Sequence, residues 1–302
     1  MKYGNDFVDE KYSSILEPNL FADTVMIPGI TYNPDFEGEV DAGLVHIYKE
    51  NKGDRKDPEA PAGDFNDENS GNNLIDLRLN NAYRKSKKIY QVTANSCSYS
   101  KAEVNLSLAV AENKESRQAS ALACLVNEGT LIESTKTKIS QKVIELRKEL
   151  RKKHAKPDIV FATVEAYAQM LEEAGDKYTP VTNDKIITTG QVGKYLGMTW
   201  FEVDAFEGIA KYFDHTGEKR EVNLQEVELV VYDHTALHLA DNLNMMRLAD
   251  TTKFTGVLAQ NEINSGFRVS NSDKVAVIKT TATVQTHAET QNEGQDNPQT
   301  NP

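Results

Sequence analysis

The chain has 302 residues, 39% of them hydrophobic and 26% charged, which excludes wholesale disorder and leaves room for two lobes. Asp and Glu number 46 against 34 Lys and Arg, a formal net charge of −12; this argues against DNA or RNA as a tight partner, because such affinity comes largely from basic groups on phosphates. Two distant cysteines, Cys97 and Cys124, exclude a disulfide framework or a cysteine-rich zinc site and fit a reducing compartment. The longest apolar runs, at 108–111 and 229–232, fall far short of the roughly 20 residues that span a bilayer. The first residues lack the basic-then-apolar pattern of a secretory signal, so a cytosolic protein is expected.

Residues 1–22 read as an arm with a short helix at 11–16, and 23–31 as a strand broken by Pro28-Gly29. The next stretch, 35–73, is strongly acidic: Asp35, Glu37, Glu39, Asp41, Glu50, Asp54, Asp57, Glu59, Asp64, Asp67 and Glu68 outnumber Lys49, Lys52, Arg55 and Lys56. Alternation at 44–48 and again at 74–79 predicts a long two-stranded excursion with a polar tip. Such a hairpin is marginal in water by itself and should be mobile or lie on another surface.

The charge reverses at Arg84-Lys85-Ser86-Lys87-Lys88. Residues 101–128 predict a helix stopped by Gly129. Its ends are apolar and its middle, 112–118, is polar all round, the pattern of a helix that bridges two contact regions rather than packing on one core there. A second helix is predicted over 135–155, with Ile139, Val143, Leu146 and Leu150 on one face, Ser134 as N-cap and a basic C-terminal half; Pro157 ends it.

From 158 to 250 the pattern alternates: a buried-looking strand at 159–163, a helix at 165–173 before Gly175, a glycine-punctuated segment at 190–197 leading into a strand at 199–203, a strand at 229–232 and a helix at 234–242. Strands return over 251–284, including 274–279, and 285–302 is a polar tail expected to be disordered.

A search for chemistry finds little. His234 and His238 stand at i, i+4 on the predicted helix, a spacing that can hold a metal, with Asp233 and Asp241 nearby. The Glu of a metalloprotease helix is missing, and capping or solvation explains the acids equally well. Gly190, Gly193 and Gly197 make no phosphate-binding loop, and no nucleophile elbow occurs. Cys124 reads as a small buried hydrophobe and Cys97 has no His nearby. The carboxylates of 35–68 crowd a loop, whereas acid–base work needs held geometry. No catalytic, cofactor or metal site is expected, and the chain is read as no enzyme.

The order of elements resembles the major capsid protein of tailed bacteriophages, the Hong Kong 97-like fold. The stretches that carry this are KPDIVFATVEAYAQMLEEAG at 156–175, GQVGKYLGMTWFEVDAF at 190–206, VELVVYDHTALHLADNLNMMRLAD at 227–250 and SGFRVSNSDKVAVIK at 265–279. The resemblance implies an α+β capsid fold with an N-terminal arm (1–22), peripheral strands and an extended loop (23–100, the loop at 35–82), a spine helix (101–129), a peripheral-domain helix (130–156), an axial domain (157–250), returning peripheral strands (251–284) and the tail (285–302). It further implies a homo-oligomer of hexamers and pentamers forming an icosahedral shell in the virion. That shell would be assembled in the bacterial cytoplasm with a separate scaffolding protein and with portal and head-completion proteins. It would enclose double-stranded DNA without binding it specifically, and without membrane or cofactor.

Within that frame, the acidic loop (Glu50, Asp54, Asp57, Glu59, Asp64) of one copy is expected to dock on the basic helix (Lys142, Arg147, Arg151, Lys152) of the next, adding register more than affinity. Two independently solvated charge runs are the competing reading. Some members of the family crosslink a loop Lys to an Asn of another subunit. Lys49, Lys52 and Lys56, with Asn261, Asn264 and Asn271, match only as common residues do. The alternatives are an encapsulin-type nanocompartment shell and a cytosolic α/β metal-dependent enzyme using His234 and His238.

Overall fold

The computed structural model describes residues 25–34, 43–50, 72–90, 100–175, 179–180, 191–204, 206, 208–250, 252–253 and 256–279. The short helix expected at 11–16, the loop tip and the tail lie outside the described residues.

The chain order is β1 (Leu44–Glu50), β2 (Asn72–Arg78), β3 (Asn81–Tyr90), α1 (Ser100–Glu128), β4 (Thr130–Leu131), α2 (Ile139–Lys152), β5 (Ile159–Ala162), α3 (Val164–Ala174), β6 (Thr179–Pro180), β7 (Gln191–Tyr195), β8 (Met198–Glu202), β9 (Ile209–Phe213), β10 (Lys219–Asn223), β11 (Val227–Tyr232), β12 (Leu237–Asp250), β13 (Gly256–Val269) and β14 (Val275–Lys279).

One lobe is a seven-stranded mixed sheet ordered β4-β14-β11-β5-β8-β7-β6. Its central strands are apolar on both faces, as a sheet covered on both sides requires. Period-two alternation divides them: Val160, Ala162, Leu229, Val231, Ala276 and Ile278 meet α2 and α3, while Ile159, Phe161, Val230, Tyr232, Val275 and Val277 meet the apolar end of α1 at Leu122 and Leu125. Phe161 stands edge-on to both Phe201 (5.7 Å) and Tyr232 (5.3 Å), a favoured aromatic geometry. At Gly129 the helix end comes so close to the sheet that a Cβ would stand 2.8 Å from Val275 Cγ1.

The second lobe is a three-stranded antiparallel sheet, β12-β13-β3, built on two strands of 14 residues. The middle of α1 crosses it. Two hairpins, β1–β2 and β9–β10, complete the described residues. The second is clamped to the start of β3: Asn81 Nδ2 donates to the Phe213 carbonyl (3.0 Å) and its Oδ1 accepts from Phe213 N–H (2.8 Å), so one amide takes the place of a neighbouring strand.

Several expectations need correction. Residues 234–242 are not a helix. His234–Ala236 make a single 3-10 turn and Leu237 begins β12. Residues 236–240 are all buried, so contact on both faces hides the strand period and the Ala/Leu content reads as helical. The division at 157–250 also fails to follow the sheets. Leu237–Asp250 pairs with β13 in the long sheet, whereas α2 and β14 belong to the seven-stranded lobe. Finally, α2 starts at Ile139 and Ser134 does not cap it; Ser134 Oγ bonds Glu145 Oε2 at 2.5 Å.

Candidate assembly surfaces

The β1–β2 ribbon pairs in register from Leu44↔Arg78 to Glu50↔Asn72, which is the expected two-stranded excursion. It is rooted by a small apolar cluster of Val45, Leu77, Leu79 and Ala240. Gly266 makes that root possible, since a Cβ there would fall 2.6 Å from the Arg78 carbonyl oxygen. Further out, His46 Nδ1 lies 2.9 Å from Asp76 Oδ1 across the strands, and Leu74 is 56% exposed. Of the predicted acidic contacts, Glu50 ends β1, and Asp54, Asp57, Glu59 and Asp64 lie outside the described residues.

On α2 the predicted basic residues part company. Lys142 is spent inside the subunit, its Nζ bonded to Glu228 Oε1 and Oε2 at 2.5 and 2.7 Å. Arg147 Nη1 donates to the Leu196 carbonyl at 2.8 Å. Leu196 (φ 54°) and Gly197 (φ 75°) form the tight β7–β8 turn, and an L-residue at positive φ gains from that held carbonyl. Lys152 pairs with Glu149 on the surface at 2.6 Å. Lys148, Arg151 and Lys152 are exposed and form the outward charge of the helix.

The start of α2 is fixed from outside. Glu173 of α3 accepts from Ile139 N–H (2.9 Å), Ser140 N–H (2.9 Å) and Ser140 Oγ (2.6 Å). Partial burial opposes the charge, yet these bonds outweigh it and the carboxyl is held below its ordinary range.

The polar centre of α1 is packed rather than solvated. Asn113, Gln118 and Ser120 are buried. Asn113 Nδ2 donates to Asn261 Oδ1 at 2.6 Å, Gln118 Oε1 accepts from Val25 N–H at 2.9 Å, and Arg117 pairs with Asp241 at 3.2 Å. The basic run on β3 is neutralised locally: Lys85 and Lys87 both meet Glu112, whose carboxyl their hydrogen bonds pull below its usual range, and Arg84 meets Glu262 at 2.8 Å. Asn261, one candidate for a crosslink, is 2% exposed and hydrogen-bonded. Sequence reading missed the β9–β10 hairpin, although Asp214-His215-Thr216-Gly217 between two polar–apolar alternations is a turn signal.

The metal reading of His234 and His238 does not survive. The two are not on one helix; His238 is a buried strand residue whose imidazole burial, with Lys274 nearby, pushes down to about 4. Asp158, Asp233 and His234 bring donor atoms within 4.8 Å of one another. Those carboxylates already accept from His234 N–H, Thr235 N–H and Lys156 N–H, which ties the end of β11 to the start of β5. Burial drives the Cys124 thiol well above its ordinary value, and Cys97 lies outside the described residues. A cavity beside the start of α3 is lined by Thr163, Glu165, Asp204 and Glu228 among others; the Thr163 hydroxyl there caps α3, accepting from Ala166 N–H. No described helix is long and apolar enough to cross a membrane.

No protein-family model matches the chain, and no curated protein is similar to it at a significant level. Solved structures are similar over almost its whole length. A structure from Mycobacterium phage Che8 aligns with TM-score 0.65 at 17% identity, covering 91% of this chain and 97% of the other. The capsid structure of the cyanophage P-SCSP1u gives 0.63 at 11% identity, covering 91% and 93%. The capsid of a native GTA particle gives 0.60 at 12% identity, covering 91% and 96%. The expected α+β capsid fold is therefore the fold of this chain.

Proposed function

We propose that this chain is the major capsid protein of a tailed double-stranded DNA bacteriophage, a structural protein that assembles through hexamers and pentamers into an icosahedral shell. The observation that carries the reading is end-to-end likeness to capsid structures: about nine-tenths of this chain aligns with nearly all of the cyanophage and GTA capsid chains. The β1–β2 ribbon has little core of its own. A two-stranded ribbon so weakly rooted needs a second surface, and a neighbouring copy supplies one.

The long β12–β13–β3 sheet with the middle of α1 serves as the peripheral region, and the seven-stranded lobe with α2 and α3 as the axial region. The acidic ribbon of one copy docks on exposed bases of the next, among which Lys148, Arg151 and Lys152 are available and Lys142 and Arg147 are not. A separate scaffolding protein guides closure in the host cytoplasm, portal and head-completion proteins finish the shell, and DNA is enclosed without specific binding. The role is mechanical and non-enzymatic.

Negative-stain electron microscopy with light scattering on the purified protein tests this. Closed shells, hexamers or pentamers are expected, alone or with co-expressed scaffold. A chain that stays monomeric with its scaffold present refutes the reading.

A further inference from the structure

Two depressions on α1 meet at Lys114. One, about 380 Å3, is lined by Leu106, Ser107, Val110, Ala111, Lys114 and Met246. The other lies between Met26, Pro28 and Tyr32 and the helix residues Lys114 and Gln118. Leu106, Val110 and Lys114 follow one another at i, i+4 and i+8 on one face of the helix, with Ala111 on the flank. None is fully buried, and Met246 is 55% exposed. Folding of the described residues thus leaves an apolar groove open, with a lysine at one end that has no ion-pair partner among them.

The chain enters the fold beside this groove. Val25 is fixed to Gln118 by its N–H. Ile27–Thr31 close a tight turn, with Thr31 N–H on the Ile27 carbonyl at 2.9 Å. Asn33 makes a parallel bridge with His238, and β12 runs from there towards Met246. Val25 thus anchors the chain at the middle of α1, within reach of the groove.

Reach sets a register. At ~1.5 Å rise per residue, Lys114 lies ~6 Å and Val110 ~12 Å along the helix from Gln118. At ~3.3 Å per extended residue, the chain can carry Asp23 ~7 Å and Phe21 and Leu20 ~13–17 Å from Val25. An acid falls at the lysine and two large apolar residues fall at the groove. We propose that the segment preceding Val25 fills this groove in its own chain, with Leu20 and Phe21 against Val110, Ala111 and Met246 and Asp23 beside Lys114. The inference does not depend on the shell reading.

The test uses the full-length chain with Cys97→Ser. In Leu20→Cys/Val110→Cys, an intrachain disulfide identified by peptide mass spectrometry should form about tenfold faster than in a control pair of Leu20→Cys with Lys219→Cys, because a docked segment raises the effective concentration of one thiol at the other. Separately, alkylation of Val110→Cys should accelerate about fivefold when Leu20→Asp/Phe21→Asp undocks the segment and leaves the groove open. Both results are required. Linkage only between chains makes a second copy the occupant and overturns the proposal. So does linkage no faster than the control, or an alkylation rate that the Asp variant leaves unmoved.

Discussion

Removing the carboxylate that caps α2 from its neighbour gives a prediction with a pH signature. Glu173→Ala takes away the acceptor of two backbone N–H groups and one hydroxyl at the helix start. Loss of an N-cap costs about 1–2 kcal/mol, and loss of a negative charge from the positive helix end adds about 0.3–1 kcal/mol. At neutral pH the melting temperature of a 302-residue chain should fall by about 2–5 °C. The folded-state pKa of Glu173 lies below its ordinary value near 4.5. Its contribution is therefore complete above the unfolded value and is lost as pH falls through the folded one. The gap between parent and variant should shrink steadily in acid. Glu173→Gln keeps one acceptor oxygen without the charge and should recover only part of the loss, with no pH dependence of its own. Thermal unfolding of the dissociated subunit by circular dichroism reads all three chains. A Glu173→Ala gap of the same size at about pH 3 as at pH 7 would show that the cap is not an ionised one, and no gap at pH 7 would refute the capping role itself.

The division of the basic helix separates stability from assembly. Lys142→Ala breaks a pair whose side chains are 13% and 16% exposed and should cost about 1–3 kcal/mol. Arg151→Gln/Lys152→Gln, which removes two last-turn charges, should cost the subunit only about 1 kcal/mol yet weaken assembly followed by light scattering, most strongly at low salt. Assembly equal to the parent at every salt concentration removes α2 as a docking surface. Gly266→Ala puts a methyl group 2.6 Å from the Arg78 carbonyl oxygen; it should loosen the ribbon root, lower stability by about 1–3 kcal/mol and open 44–78 to limited proteolysis. At the tip of β9–β10, burial works against the Asp214 charge, but hydrogen bonds from Thr216, Arg220 and Glu218 N–H hold its pKa down to about 2. Asp214→Asn should therefore destabilise at neutral pH, and the deficit should disappear as the parent titrates towards pH 2 in a melting series.

Much of this architecture could be read from residue order. The long helix and its Gly129 stop stand where the pattern puts them, because a run of good helix formers ended by glycine leaves few alternatives. The β1–β2 strands follow from plain alternation between polar segments. What failed did so for identifiable reasons. Leu237–Asp250 carries apolar residues on both faces where it enters the core, so its period of two is invisible and its composition favours helix. The basic residues of α2 look alike in sequence. Whether Lys142 meets Glu228 or solvent depends on a strand 86 residues away, which no local pattern encodes. The polar middle of α1 read as a span between two contact regions and not as packed surface, because hydropathy cannot distinguish a wet polar face from one satisfied by another polar face.

That seam between α1 and the long sheet carries the final argument. Asn113 and Asn261 are 3% and 2% exposed and bonded to each other. Burying two amides gains little over burying two apolar groups of the same size, since each gives up water before gaining its partner. What the pair supplies is position, because an amide is satisfied only where its complement stands, whereas leucines on a helix face would tolerate a slide along the sheet. Asn113→Leu should cost about 1–3 kcal/mol, because it strips Asn261 of a buried partner. Adding Asn261→Leu should restore much of that loss, which is strong coupling in a double-mutant cycle. The doubly substituted chain should stay somewhat below the parent in denaturant midpoint, because the Met245 and Asn261 carbonyls lose amide donors, while forming shells of mixed size by electron microscopy, since the angle between helix and long sheet is no longer fixed. Additive losses in the cycle would show that the two amides act independently, and the register argument would fall with them.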